Sequence, residues 1–329
     1  MAKDCWNGQD KGVQFTVERF HLRYNVINEV FEMKRLLNCT SSEMLAANKD
    51  ELKQSILGSE GRTVMTETVV ACPPLLGDLT NAELAVSFGS DMILLNGFDC
   101  NNPKINGLPE TDEPVKLLKK LVGRPVGTNL EPIDVNAKMM EKRLEIAAGR
   151  QATKETFIKA KELGFDYICL TGNPGTGVSN ASIEKAIILA KEYFGGMIIA
   201  GKMHSAGVDE PLVDLGSIER FIDAGADIIL MPAVYTVPGL SEEEVREACK
   251  LIKSKGALSL SSIGTSQEGS DESTIREIAL VNKRCGVDIQ HIGDAGWCGV
   301  ALPENIMALS IAIRGKRWTY HKMASSINR

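Results

Sequence analysis

The sequence is 329 residues long, 43% hydrophobic and 24% charged, with a formal net charge of −6 at pH 7. This length fills a single α/β barrel; the acidic balance argues against nucleic-acid and membrane-surface partners, and no apolar run approaches the roughly 18–20 residues of a membrane span. Eight cysteines lie scattered without a C-x-x-C pair and only four histidines are present, so reduced thiols are expected and a dedicated zinc site is not.

Residues 1–40 read as an N-terminal extension, with "DKGVQFTVERF" too charged and broken for a signal-peptide core. A cytoplasmic protein is therefore expected. Residues 41–57 form an amphipathic helix opened by the capping box Thr40-x-x-Glu43, placed to cover the bottom of a barrel. The first strand is "TVMTETVV" (63–70), followed by the loop "ACPPLLGDLT", a second capping box Thr80-x-x-Glu83 and a helix at 82–88. Next come "GSDMILL" (89–95), a helix at 115–121 and "PVGTN" (125–129). Residues 131–152 are the longest insertion, with a charged, helical centre that suits either a lid or an oligomer contact. Then follow "GFDYICL" (164–170), a helix at 182–193, "MIIAG" (197–201), "GADIIL" (225–230), a helix at 242–255 behind Ser241-x-x-Glu244, "ALSLSS" (257–262) and "GVDIQHI" (286–292). Pro303 opens a last helix, and a basic tail, 316–329, is expected against the barrel's outside or a second subunit of a homo-oligomer.

Eight strand–helix units in strict alternation predict a closed (β/α)8 TIM barrel over residues 41–315. The rival is an open doubly wound sheet, which no G-x-G-x-x-G supports. Four strands share a glycine, one residue, an aspartate and then an apolar run; the glycine suits a left-handed helix end. Helix-to-strand joints are short and strand-to-helix joints long and polar, which places function at the C-terminal strand ends. The same asymmetry suits a barrel that binds a ligand without chemistry.

Candidate residues follow from that geometry. Lys202 and His204, two apart at a strand end, share a face. The amine is a base, a Schiff-base nucleophile or an ion-pair partner, and the imidazole can exchange protons. Asn129 and Glu131 are likewise cofacial, Asp99 and Asn96 end the second strand, and Glu67 inside the first needs a partner such as Lys202. Asp99 and Glu131 join the catalytic candidates; Glu67, Asn96, Asn129, Asn173, His291 and Asp294 are substrate-binding candidates. Carboxylates converging from strands 1–3 would suit Mg²⁺, the one cofactor considered. Backbone amides at Gly175, Thr176 and Gly177, at Gly264, Thr265 and Ser266, and at Gly293 and Gly296 are candidates for a phosphate cradle, although Glu268, Asp271, Glu272 and Asp294 add negative charge there.

The segments "PPLLGDLTNAELAVSFGSDMILLNGFD", "RPVGTNLEP" and "IGDAGWCGVALPENIMALSIAIRGKR" resemble an uncharacterised family of bacterial barrel proteins, loosely labelled phosphoenolpyruvate-mutase-like or haloacid-dehalogenase-like. More distantly, "GSDMILLNGF", "RPVGTN" and "GADIILM" are similar to BtpA-like barrels. The resemblance implies the barrel and no settled reaction; neither a D-x-D-x-[TV] motif nor a K-[KR]-C-G-H-type loop is present. The reading expected from the residues is an enzyme that acts on a small phosphorylated sugar or sugar-acid by proton abstraction or retro-aldol cleavage. A Mg²⁺-dependent enolate-forming lyase and a non-catalytic metabolite-binding barrel are the alternatives.

Overall fold

The structure is a computed structural model that describes residues 34–140 and 142–329; the N-terminal extension up to residue 33 lies outside the described residues. Eight parallel strands close into a ring in chain order: β1 (Thr63–Val69), β2 (Met92–Asn96), β3 (Val126–Leu130), β4 (Tyr167–Leu170), β5 (Met197–Gly201), β6 (Ile228–Pro232), β7 (Leu258–Ile263) and β8 (Ile289–Ile292). Pairing of β8 with β1, in register Thr63 to Ile289, excludes the open sheet. Helices α1 (Ser41–Ala46) and α2 (Lys49–Gly58) precede the ring. Around it lie α3 (Asn81–Ser87), α4 (Pro114–Val122), α5 (Lys154–Leu163), α6 (Asn180–Tyr193), α7 (Leu215–Ala224), α8 (Glu242–Ser254), α9 (Glu272–Cys285) and α10 (Pro303–Ala324). The capping boxes at Thr40, Thr80 and Ser241 form, and Pro303 occupies the first turn of α10.

The Gly-x-Asp repeat has a physical cause. Gly89, Gly164, Gly225 and Gly286 all take positive φ, between 88° and 122°, turning the chain off a helix. Two residues on, the aspartate carboxylate accepts from the backbone N–H of the preceding odd-numbered strand. Asp91 takes Val64 (3.0 Å), Asp166 Val126 (2.9 Å), Asp227 Ile198 (2.9 Å) and Asp288 Ser259 (2.9 Å). In return each aspartate N–H donates to the carbonyl of that same residue, at 2.8 to 3.2 Å. Four identical two-bond clamps therefore join the strands in pairs at the bottom of the ring. Buried backbone groups at a strand start need partners, and the aspartate supplies one.

Inside the ring the lower positions are apolar, among them Met65, Met92, Tyr167, Met197, Ile228 and Ile289. Tyr167 fills the space left by Gly127, where a Cβ would sit 2.1 Å from its ring. The bottom is plugged by Leu36, Met44, Leu52 and Ile56, which join the same cluster. The single helix expected at 41–57 is two, because Asn48 starts a new capping box with Glu51. The basic tail does not form a separate outer strip. Past the break in α10 at Gly315 (φ 75°), it turns across the base. There Lys322 is buried, donating to the Leu36 carbonyl (2.7 Å) and facing Asp91 (3.5 Å). Asp91 also pairs with Arg314, and Arg124 lies buried nearby. Burial alone would raise the Asp91 carboxyl, but Arg314 and Lys322 hold it below its ordinary range.

The insertion at 131–152 contains no α-helix among its described residues, contrary to its composition. It runs as an extended strap whose amides bond to the loops after β4 and β5: Asp134 to Gly177 O (2.9 Å), Leu144 to Gly175 O (2.8 Å) and Met140 to Gly207 O (3.0 Å). Those carbonyls compete with helix formation. Among the described residues no helix is long and apolar enough to cross a membrane.

Candidate active site

The inward face of the strands turns from apolar to polar at one height. Glu67, Asn96, Ser262 and His291 stand two residues above the interior hydrophobics Met65, Leu94, Leu260 and Ile289, and Asn129 two above Gly127. Glu67 is 3% exposed, a costly place for a carboxylate without partners. Its Oε1 accepts from Asn129 Nδ2, and its Oε2 lies 3.2 Å from His291 Nε2. His291 Nδ1 is in turn 2.7 Å from Ser262 Oγ. The expected Glu67–Lys202 pair does not exist; the amide of Asn129, from β3, bonds the carboxylate instead, and the imidazole of His291, from the adjacent β8, lies beside it.

Above this layer opens a pocket of about 360 Å³ at the C-terminal mouth of the ring. Its acid–base groups are Glu67, His204, Glu268 and Asp294, with Asn96, Asn129 and Asn173 between them; no lysine or arginine among the described residues lines it. Asp294 accepts from Asn96 Nδ2 at 2.7 Å. Burial, reinforced by the charges of Glu67 and Glu268, pushes its carboxyl up to about 7. Burial also raises Glu268, opposed by the Ala295 N–H that donates to it at 3.0 Å. His204 is pushed below its ordinary value by burial, against the pull of Glu67 and Glu131, so the ring is neutral at pH 7. Its Nδ1 accepts the Ala206 N–H at 3.0 Å, which places the ring proton on Nε2. Three buried polar atoms on the wall have no hydrogen-bond partner among the described residues: Asn129 Oδ1, Thr171 Oγ1 and Glu268 Oε2.

Lys202 does not reach this pocket. Along β5, Met197 and Ile199 face the interior while Ile198 and Ala200 face the helices. The strand ends at Gly201, whose φ of 149° and tight fit against the Leu230 carbonyl exclude a side chain. Residue 202 keeps the outward parity. Its amine is 2% exposed and pairs with Glu210 at 2.6 Å, the same carboxylate that accepts from Asn180 N at the start of α6 (2.8 Å). Only His204, carried round by the turn, enters the mouth. The two side chains are expected from their spacing to share one cup, and the turn that follows Lys202 after the strand ends at Gly201 separates them.

Glu131 also lies behind the wall. Arg150 (2.7 Å) and the Asn173 side chain (3.0 Å) bind its Oε1, and the Asn173 N–H (2.9 Å) its Oε2; it therefore positions Asn173. Asp99 sits in the outer loop, bonded to Asn101 N at 2.8 Å and packed against the backbone of Gly149. Glu67, Asp99 and Glu131 thus do not converge, and among the described residues no three His, Cys, Asp or Glu side chains are placed to hold a metal ion. The proposed Mg²⁺ set does not fit.

The glycine-rich loops are largely committed to the fold. Thr176 N donates to Asn173 O (3.2 Å) and Gly177 N to Ala206 O (3.0 Å), Gly293 N donates to Ile263 O (2.8 Å), and Gly296 packs against Val300 and Ala301. Gly175 holds the strap through its carbonyl. Of the predicted phosphate segments, Gly264–Ser266 alone puts residues with strained backbone on the pocket, Thr265 (φ 55°) and Ser266 (φ 74°). In the sequence Glu268 reads only as negative charge beside a glycine-rich loop, and Thr171 and Arg150 belong to no motif. Glu268 was findable as a carboxylate within the long loop after β7; nothing local marks Arg150.

A closed ring with a carboxylate-and-amide pocket over its strand ends defines a (β/α)8 barrel arranged as barrel enzymes are. The chain belongs to the family described as "Domain of unknown function (DUF7916)", which matches residues 37–329. No curated protein matches it. Among solved structures it is similar to a thiamine phosphate pyrophosphorylase from Pyrococcus furiosus (13% identity, 77% of this chain and 96% of that one, TM-score 0.45). It is also similar to an archaeal fructose 1,6-bisphosphate aldolase (14%, 78% and 94%, 0.49). A third is 2,3-dimethylmalate lyase, a PEP mutase/isocitrate lyase superfamily member (14%, 75% and 81%, 0.46). These likenesses concern the fold alone.

Proposed function

We propose that this protein is an enzyme that binds a small polyhydroxylated carbonyl compound in the barrel mouth and moves a proton next to its carbonyl group. The observation that carries the reading is the set of orphaned wall atoms around an elevated carboxyl. Asn129 Oδ1 and Glu268 Oε2 are acceptors, and Thr171 Oγ1 both donates and accepts. Buried polar atoms of this kind call for a partner. A sugar hydroxyl serves all three because it donates as well as accepts, whereas a phosphate dianion carries no donor and meets three carboxylates without a lysine or arginine. The reacting part of the substrate is therefore read as unphosphorylated, a change from the phosphate expected from the glycine-rich loops.

Asp294, with its carboxyl at about 7, takes the proton from the carbon beside the carbonyl and returns it to product; a base poised near the working pH is the efficient choice. Neutral His204 presents Nε2–H to the carbonyl oxygen as negative charge develops on it, a division of roles known from other barrel enzymes. Glu67, which accepts from Asn129 Nδ2, keeps that amide oriented. Lys202, paired behind the wall, takes no part in the chemistry.

Incubation in D₂O with a panel of aldoses, ketoses and sugar acids, free and phosphorylated, followed by NMR tests this. Deuterium is expected at the position beside the carbonyl of an unphosphorylated member, with the rate cut at least about 100-fold by Asp294→Asn. Saturable binding without any exchange would instead establish a non-catalytic barrel.

A further inference from the structure

The pocket does not stop at His204. A second cavity of about 640 Å³ continues from it and shares His204, Ser205 and Thr265 with the first. Its far wall is Leu212, Tyr235, Val237 and Pro238, with Gln267 at the edge. Tyr235 is the informative residue. It holds φ 77°, a conformation that bulky side chains avoid, and its ring is left 54% exposed. The turn that forces it there is locked: Thr236 N and Thr236 Oγ1 both bond to Ala233 O, at 3.1 and 2.7 Å, and Thr265 Oγ1 donates to Thr236 O. The strained turn thus holds more than half of the residue out of the packed interior. Of the six non-glycine residues with positive φ among the described residues, Ala206, Tyr235, Thr265 and Ser266 border these two cavities. Strain gathered this way is the mark of a site that uses it.

We infer that the substrate is larger than one sugar unit. Resting on the reading above, the polyhydroxylated carbonyl end occupies the acidic pocket. A second sugar ring, joined to it, lies over Tyr235 with its C–H face on the aromatic ring and its hydroxyl edge toward Ser205 and Gln267. A surface with one displayed aromatic, three aliphatic neighbours and polar groups along one side matches a sugar ring, which has an apolar face and a polar rim. It suits neither a wholly apolar tail nor an anion.

Calorimetric titration of the full chain with monosaccharide carbonyl compounds and their disaccharide counterparts tests the inference. The disaccharide is expected to bind at least about tenfold more tightly. Both Tyr235→Ala and Tyr235→Gly should bring its affinity down to that of the monosaccharide, whose own binding stays the same. The glycine variant also relieves the backbone, so its melting temperature should rise; that rise with the selectivity lost separates ligand recognition from damage to the fold. Equal affinity for the two ligands, or a preference that survives both variants, would overturn the second-ring subsite while leaving the proton-transfer reading intact. Binding of neither ligand would overturn both. A tenfold preference for an aryl glycoside over every disaccharide would replace the sugar ring by an aromatic one.

Discussion

At Asp294 a single carboxyl reports on both chemistry and stability. Its value in the folded chain, about 7, stands above the ordinary 3.8. The folded state therefore holds its proton more firmly, and the associated stability is complete below pH 4 and lost as pH rises through 7. Asp294→Asn removes the charge and keeps the shape. Its unfolding free energy should exceed that of the parent at pH 8 by about 4 kcal/mol and differ little at pH 4, as urea titrations at the two pH values will show. Over the same range kcat/KM of the parent should climb with pH to a plateau above 7. Lys202 is predicted to behave oppositely. Borohydride with any carbonyl substrate should leave it unmodified in a peptide map. Lys202→Met should cost stability, about 1–3 kcal/mol through the unpartnered Glu210, without abolishing turnover. The site residues near strand ends were partly legible in the chain. Asn129 and Asn96 could be placed from strand parity alone, whereas Asp294, two residues past the end of β8 and out of phase with Ile289 and His291, could not. The outward place of Lys202 follows the parity of Ile198 and Ala200; what no parity gives is the turn after Lys202 that carries His204 to the other side, since the strand ends at Gly201.

Among the elements, the Gly-x-Asp repeat shows the difference between seeing a signal and knowing its cause. Its spacing locates β2, β4, β6 and β8 correctly, yet the group that each aspartate serves lies 27 to 40 residues earlier in the chain. Asp288 is the cleanest test, since its carboxyl accepts from both Ser259 N and Ser259 Oγ at 2.9 Å. Asp288→Ala should lower stability by about 1–3 kcal/mol and Asp288→Asn much less, because the amide oxygen still accepts. In β3, Gly127→Ala should cost about 3 kcal/mol or prevent folding, its methyl meeting both the ring and the backbone carbonyl of Tyr167. The strap at 131–152 was misread for a related reason. Its local composition favours a helix, while the carbonyls that hold it extended come from residues 175, 177 and 207, and propensity yields to such tertiary bonds.

Across the whole molecule, the base and the mouth are made of different materials. The base gathers Arg124, Arg314 and Lys322 around Asp91, all four buried, and ties both ends of the described chain to the ring through Leu36 and Lys322. Asp91→Ala would strand three cations in the interior and should cost about 3–5 kcal/mol by denaturant titration, with no effect on ligand affinity in the molecules that remain folded. The mouth instead spends stability on unpaired oxygens, crowded carboxylates and left-handed turns. Because the clamps and the cation cluster all lie at the opposite end from these liabilities, the upper loops are free to drift in sequence without loosening the ring beneath them. A lineage of such proteins can thus change what it recognises by rewriting a few turns, and the place to look for divergent specificity is the bend around Tyr235 rather than any strand.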